Sequence, residues 1–295
     1  MNQRNDRRAF LQHMGLLAGG VLLAPQIACS PKSGAAVSSN GMLNNYGIQL
    51  YTLRTDMPKD PKGVISKLSG FGYSQLEGYE GPQGLWWDMT PGDFKKFLGD
   101  QNLNMVSSHC NIRENFEEKA AQAAEVGLEY LLCPHIGAQK SKEDWGKVTD
   151  LFNECGKICK KNGIKFGYHN HEYSFKAFSG MIPQDFMMEN TDPELVDFEM
   201  DIYWVVTGGA DPVDFLTRYS NRFKLCHVKD RMAGTDARDA SCDLGMGIID
   251  FQKILPVARD NGMKYYILEQ ERYDNTTPLK AAEAGAMYLK NFKFS

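Results

Sequence analysis

Residues 163–175 read GIKFGYHNHEYSF, and this stretch decides the fold. Gly163 stops a long amphipathic pattern, Ser141 to Asn162, that opens with a Ser cap and Asp144 three residues on. Ile164 to Asn170 then reads as a strand. His169 and His171 lie two apart, so on extended chain they point the same way. A helix thus feeds a strand that ends in a pair of imidazoles. The arrangement recurs three times further on. Glu199 and Asp201 end the run Leu195 to Asp201, His227 and Lys229 end Phe223 to Lys229, and Glu269 and Glu271 close Lys264 to Gln270 and its edge. Strands lining a barrel would bring these eight groups together, which argues for an enzyme and for a metal.

Towards the N-terminus the alternation continues. Strands are expected at Tyr46 to Tyr51, Ser74 to Tyr79, Asn104 to Cys110 and Tyr130 to Pro134. Helices are expected at Gly63 to Phe71, Pro91 to Gln101 behind the cap Thr90, and Asn115 to Val126. Pro183 to Asn190, Asp211 to Tyr219, Asp250 to Asn261 and Pro278 to Phe292 follow the later strands as helices. Eight β/α units in about 250 residues make an α/β fold, a (β/α)8 TIM barrel over residues 44–295. An open doubly wound sheet is the alternative. It would carry a glycine-rich loop after its first strand, where this chain has Tyr51-Thr52-Leu53-Arg54. In a barrel the site lies at the C-terminal strand ends, and His109, Asn170, Asp201, Lys229 and Glu269 fall there. Lys165, Lys224 and Lys264 start their strands.

The first thirty residues read as an export signal. Arg7 and Arg8 precede a short apolar run, Met14 to Ala24, in the manner of a twin-arginine signal, and Cys29 after Gln26-Ile27-Ala28 is a candidate lipidation site. Residues 31–43 form a flexible tether. The expected location is therefore the periplasm, with a membrane link only through the signal or a lipid. The other six cysteines show no disulfide or zinc-finger spacing, and Cys155 and Cys159 are expected to pack. Net charge is −4 without a basic cluster, so no nucleic acid partner is expected.

GYHNHEYSF, FEMDIYWV, KLCHVKDR and YILEQE, in that order and at strand ends, resemble the sugar phosphate isomerase/epimerase family, barrels of the xylose isomerase-like superfamily. The resemblance runs from GIQLYTLR to the last helix. It implies one divalent ion on four strand-end residues, often Glu, Asp, His and Glu. Asp201, His227 and Glu269 match three of these, and His169 stands where many members have Glu. Glu172 is a substitute candidate. A set with two imidazoles suits Mn, Zn, Co or Fe better than Mg. The resemblance also implies proton abstraction beside a carbonyl through an enediolate, with His171, Glu271 and Lys229 as candidate acids and bases. Glu199 lies deeper and is expected to orient a histidine. His109, Glu77 and Trp204 are expected to meet a small carbohydrate, and Trp86 and Trp87 suit stacking on a sugar face. Isomerisation, epimerisation and β-elimination share this first step. The expected function is a metal-dependent sugar isomerase or epimerase. A 3-keto-glycoside lyase or hydrolase is the alternative, and a non-catalytic sugar-binding lipoprotein is the second. An exported enzyme favours free sugars or glycosides over sugar phosphates. The acidic balance sets aside a DNA-binding endonuclease.

Overall fold

The computed structural model of the chain describes residues 41–294. The expected signal and most of the tether lie outside these residues. Eight parallel strands close into a barrel: β1 (Gly47–Gln49), β2 (Gln75–Tyr79), β3 (Asn104–His109), β4 (Tyr130–Cys133), β5 (Lys165–His169), β6 (Val196–Asp201), β7 (Phe223–Val228) and, after a small hairpin, β10 (Tyr265–Leu268). Neighbours run β1-β10-β7-β6-β5-β4-β3-β2, with β2 pairing back to β1. Helices α1 (Pro61–Phe71), α2 (Pro91–Asp100), α3 (Phe116–Val126), α4 (Lys142–Lys161), α5 (Pro183–Glu189), α6 (Ile202–Thr207), α7 (Pro212–Arg218), α8 (Phe251–Asp260) and α9 (Pro278–Lys290) complete the units.

Local signals set the boundaries. The hydroxyls of Thr90 and Ser141 accept from the backbone N–H of Asp93 and Asp144, both at 3.1 Å, and fix the starts of α2 and α4. Gly127 ends α3 with φ of 104°, a conformation that costs other residues a steric clash. Cys155 and Cys159 on α4 are buried, as expected of packing residues. Folded chain begins slightly before residue 44: Met42 bridges to Lys293, and Leu43 donates its N–H to Phe292.

Two segments differ from the strand-and-helix reading. β6 ends at Asp201, as expected, because one oxygen of that side chain accepts the N–H of Trp204 at 3.0 Å and starts α6, a helix for which no element was expected. The run that follows is apolar and β-branched, a composition common in strands, and the cap turns it into helix. Between β7 and α8, β8 (Asp230–Arg231) and β9 (Ser241–Cys242) form an antiparallel hairpin. Asp230 holds that insertion by accepting the N–H groups of Arg231, Gly245, Gly247 and Ile249.

Alternation along the strands layers the barrel interior. Val106, Tyr130, Leu132, Leu225, Tyr265 and Ile267 form an apolar plug separate from the larger core. Two residues further along the same strands the inward positions become His227 and Glu269. At the opposite end lie the salt bridge Lys264–Glu129 and the hydrogen bond from Tyr130 to Asp197. The plug closes the lower half, so the polar groups above it open only to the mouth. No helix among the described residues is long and apolar enough to cross a membrane.

Candidate metal centre

The inward residues of five strands meet at the mouth in two adjoining donor sets. The inner set is His109, His169, Glu199 and His227, and the outer set is Asp201, His227 and Glu269. All are buried. In the inner set, one oxygen of Glu199, Oε2, lies 2.9 Å from His109 Nε2, 3.0 Å from His169 Nδ1 and 3.4 Å from His227 Nε2. Glu77 stands beside it, with Oε1 2.6 Å from His227 Nε2 and 3.2 Å from His109 Nε2. Ser107 and Gln49 donate to Glu77 at 2.6 and 2.7 Å.

These contacts aim the opposite ring nitrogens outward. His227 turns Nδ1 to Glu269 Oε2 at 3.3 Å and to Asp201 Oδ2 at 3.7 Å. His169 turns Nε2 to Asp201 Oδ2 at 3.8 Å. Asn170 fixes Asp201 from behind, trading hydrogen bonds with its backbone at 3.1 and 3.2 Å. Asp201 spends Oδ1 on the start of α6, while Oδ2 is buried without a hydrogen-bond partner. Oε1 of Glu199 is likewise buried and unpartnered.

Charge is concentrated here. Burial works against the imidazolium of His109, but Glu77 and Glu199 together raise it to about 9. Burial and the nearby Glu77 push Glu199 up to about 7. Burial and the neighbouring rings of His227 and His109 hold His169 well below its ordinary value. Lys229 is fully buried, 2.9 Å from Glu269, 3.7 Å from Asp201 and in contact with Glu271. Burial opposes its charge, yet Glu269, Asp201 and Glu271 raise it well above the usual lysine value.

A cavity of about 490 Å³ opens above the sets. Its wall includes His109, His169, Glu269, Glu271 and His171, together with Tyr51, Tyr79, His135 and Trp204. The Nδ1 of His171 is buried without a partner. Burial, then the charges of His135 and Lys229, lowers His171 to about 2.

The structure brings His169, Asp201, His227 and Glu269 together and puts His171 and Glu271 on the cavity wall. Glu199 orients His169 and His109, as its deeper position implies. Five expectations change. Glu77 is fully enclosed under His227 and does not line the cavity, so it braces a ring where a sugar contact was expected. Lys229 is enclosed behind the wall among three carboxylates. Trp204 reaches the wall, but Arg238 sits 4.3 Å and Lys229 4.9 Å from its ring centroid, with His171 at 5.3 Å, so it has little free face for a sugar. Trp86 and Trp87 are buried, and Glu172 is held by Arg238 at 2.8 and 3.1 Å, away from the ligands. Gln49 and Ser107 were not singled out as site residues, and Asn170 was placed at the site end of its strand without a task. Small neutral side chains on strands give no signal of their own until a carboxylate is seen beside them.

The chain matches the family model of the xylose isomerase-like TIM barrel over residues 68–292. A sugar phosphate isomerase/epimerase from Parabacteroides distasonis is 30% identical with a TM-score of 0.72, over 88% of this chain and 98% of that one. Inosose dehydratase of Clostridium perfringens is 30% identical over 166 residues, 51% of this chain and 55% of its own. The chain thus spans about half the length of that curated relative. The solved IolI protein with a bound zinc atom has a TM-score of 0.67 at 13% identity, over 85% of this chain and 99% of that one, a likeness of fold alone.

Proposed function

The chain belongs to the xylose isomerase-like TIM-barrel family, and we propose that it is a divalent-metal-dependent enzyme that removes the proton beside the carbonyl of a sugar or keto-sugar. His169, Asp201, His227 and Glu269 would hold the ion. The observation that carries this reading is Oδ2 of Asp201, a buried carboxylate oxygen with no hydrogen-bond partner, faced by His169 Nε2 and His227 Nδ1. Lys229 stands 3.7 Å from the same oxygen, beyond hydrogen-bond reach, and a buried acceptor left without a hydrogen bond costs on the order of 1–3 kcal/mol or more. Two imidazoles and two carboxylates fit Mn, Zn, Co or Fe. A divalent ion held there supplies polarisation of a carbonyl, which makes the adjoining C–H acidic.

The chain's own groups then have distinct tasks. Glu271 lies on the wall with part of its side chain exposed, and burial raises it from the ordinary glutamate value, which strengthens it as a base. Lys229 keeps its proton and holds Glu271 in place. His171, a neutral imidazole at neutral pH, accepts a hydrogen bond from a substrate hydroxyl on its unprotonated ring nitrogen. The wall carries Glu80, Glu269 and Glu271 but no lysine or arginine, which supports an uncharged substrate over a sugar phosphate. Export from the cytoplasm, read from residues 1–30, points the same way.

A second reading is β-elimination from a 3-keto-glycoside. The names of the curated relatives favour it, because a dehydratase removes water by elimination. The test is deuterium uptake from D₂O into ketoses and oxidised glycosides, read by NMR with Mn²⁺ or Co²⁺ and with EDTA. Metal-dependent exchange supports the proposal, and its products separate isomerisation from elimination. Binding without exchange for any of these sugars would leave a sugar-binding protein instead.

A further inference from the structure

β10 ends at Leu268, and residues 269–273 have no regular secondary structure. Their backbone polar groups therefore need partners outside a strand ladder. At Glu271, read above as the base, side chains from two distant parts of the chain supply them. Oγ of Ser241 accepts the N–H of Glu271 at 3.1 Å and that of Arg272 at 3.0 Å. The guanidinium of Arg54 donates to the carbonyl of Glu271 at 2.7 Å. Lys229 holds the carboxylate.

Ser241 belongs to β9, in the hairpin inserted after β7, and is buried. Its neighbours grip the same segment. Asp243 accepts from the side-chain amide of Gln270 at 2.9 Å, and the carbonyl of Asp239 accepts from the guanidinium of Arg272 at 3.0 Å. The hairpin takes its own position from the ligand end of the site. Ala240 donates its N–H to the hydroxyl of Tyr203 at 2.7 Å, and Tyr203 lies in the first turn of α6, the helix that Asp201 starts.

A general base acts only within hydrogen-bond reach of the proton it takes, and a misplacement of about 1 Å can cost about 100-fold in rate. A base on irregular chain meets that demand only when its backbone is fixed. We propose that the β8–β9 insertion seats Glu271 at the cavity wall, with Ser241 as the positioning residue on one side of its peptide and Arg54 on the other. The inference rests on Glu271 as the base of the proposed reaction. Arg54 has a further contact that Ser241 lacks, since its guanidinium lies 4.9 Å from the ring centroid of Tyr51 on the cavity wall. Loss of Ser241 therefore acts on kcat, and loss of Arg54 on kcat and KM together.

The experiment follows deuterium uptake by D-fructose and methyl 3-keto-glucoside with the full-length protein and Mn²⁺. Ser241→Ala should lower kcat by about 10-fold or more, with KM and bound metal unchanged. Arg54→Met should lower kcat and raise KM, and it tests the same seat if Ser241→Ala does not fold. In a Glu271→Gln background, Ser241→Ala should change the remaining kcat by less than about twofold, because residues that act as a unit are not additive. Amide hydrogen exchange over residues 269–273, read by mass spectrometry without substrate, should be faster in Ser241→Ala. An unchanged kcat in Ser241→Ala, an equal loss in both backgrounds, or unchanged amide protection overturns the seat and leaves the proposed function standing. Full deuterium uptake by Glu271→Gln removes this inference with the base, while metal dependence still upholds the proposed function. No metal-dependent uptake by either sugar with the unaltered protein sinks the proposed function and this inference together.

Discussion

Nε2 of His227 lies 2.6 Å from Oε1 of Glu77, a contact that joins β7 to β2 across the barrel interior. It explains why the other nitrogen of the ring faces Asp201 and Glu269, since an imidazole held on one side presents its second nitrogen on the other.

Glu77→Gln should therefore weaken metal binding about 10–100-fold, the effect of losing a carboxylate that orients a ligand. Calorimetric titration with Mn²⁺ or Zn²⁺ measures it, with circular dichroism confirming the barrel. Unchanged affinity would mean that Glu77 does not set the ring.

Asp201→Ala should lose both outer-site metal and activity. With both proteins stripped of metal, the barrel should stay folded but be weakened by about 1 kcal/mol, because the cap of α6 is also removed. Elemental analysis and a melting curve check both parts. His227→Ala should share the first loss.

Metal removal should lower thermal stability as well as rate. An ion at about 100 times its Kd stabilises the folded state by about 2.7 kcal/mol. EDTA should thus lower Tm and abolish turnover, and Mn²⁺ or Co²⁺ should restore both. Differential scanning calorimetry with and without chelator decides it.

Activity should fall in acid at a pH above the ordinary glutamate value of 4.5. Burial raises Glu271, so this carboxyl keeps its proton to higher pH and is lost as a base when pH falls through that raised value. Lys229 pulls the other way. Lys229→Met should therefore move the acid limb of kcat/KM to still higher pH. A pH–rate profile of the two proteins gives the sign, and an unmoved limb would remove Glu271 from the role.

Tyr51 presents an exposed ring at the cavity rim, with Arg54 4.9 Å from its centroid on one side and Tyr79 edge-on at 5.2 Å. Tyr51→Ala should weaken carbohydrate binding several-fold and leave metal content unchanged. Titration with a sugar that undergoes exchange provides the measurement.

The barrel was legible because its signals are local and periodic: glycine stops, Thr and Ser caps, and strands whose last residues are polar two by two. Alternation alone places Asp201 and Glu199 on one face of β6, and His227 and Leu225 on one face of β7. It also separates Glu199, one layer down, from Asp201 at the mouth. The turn into α6 after Asp201 was hidden, since the run Ile202–Thr207 has the composition of a strand and only a cap 3.0 Å away makes it helical.

From its sequence, then, this chain determines an eightfold β/α barrel and the strand ends that carry carboxylates and imidazoles. Period and capping act over a few residues, so they can be read in line. Tertiary structure alone decided that Glu77 braces His227, that Lys229 is enclosed among Asp201, Glu269 and Glu271, and that two imidazoles divide their nitrogens between an inner and an outer set. Those relations depend on which strands become neighbours when the barrel closes and on how far each is staggered. A ring nitrogen's direction is then fixed by partners up to 150 residues away in the chain.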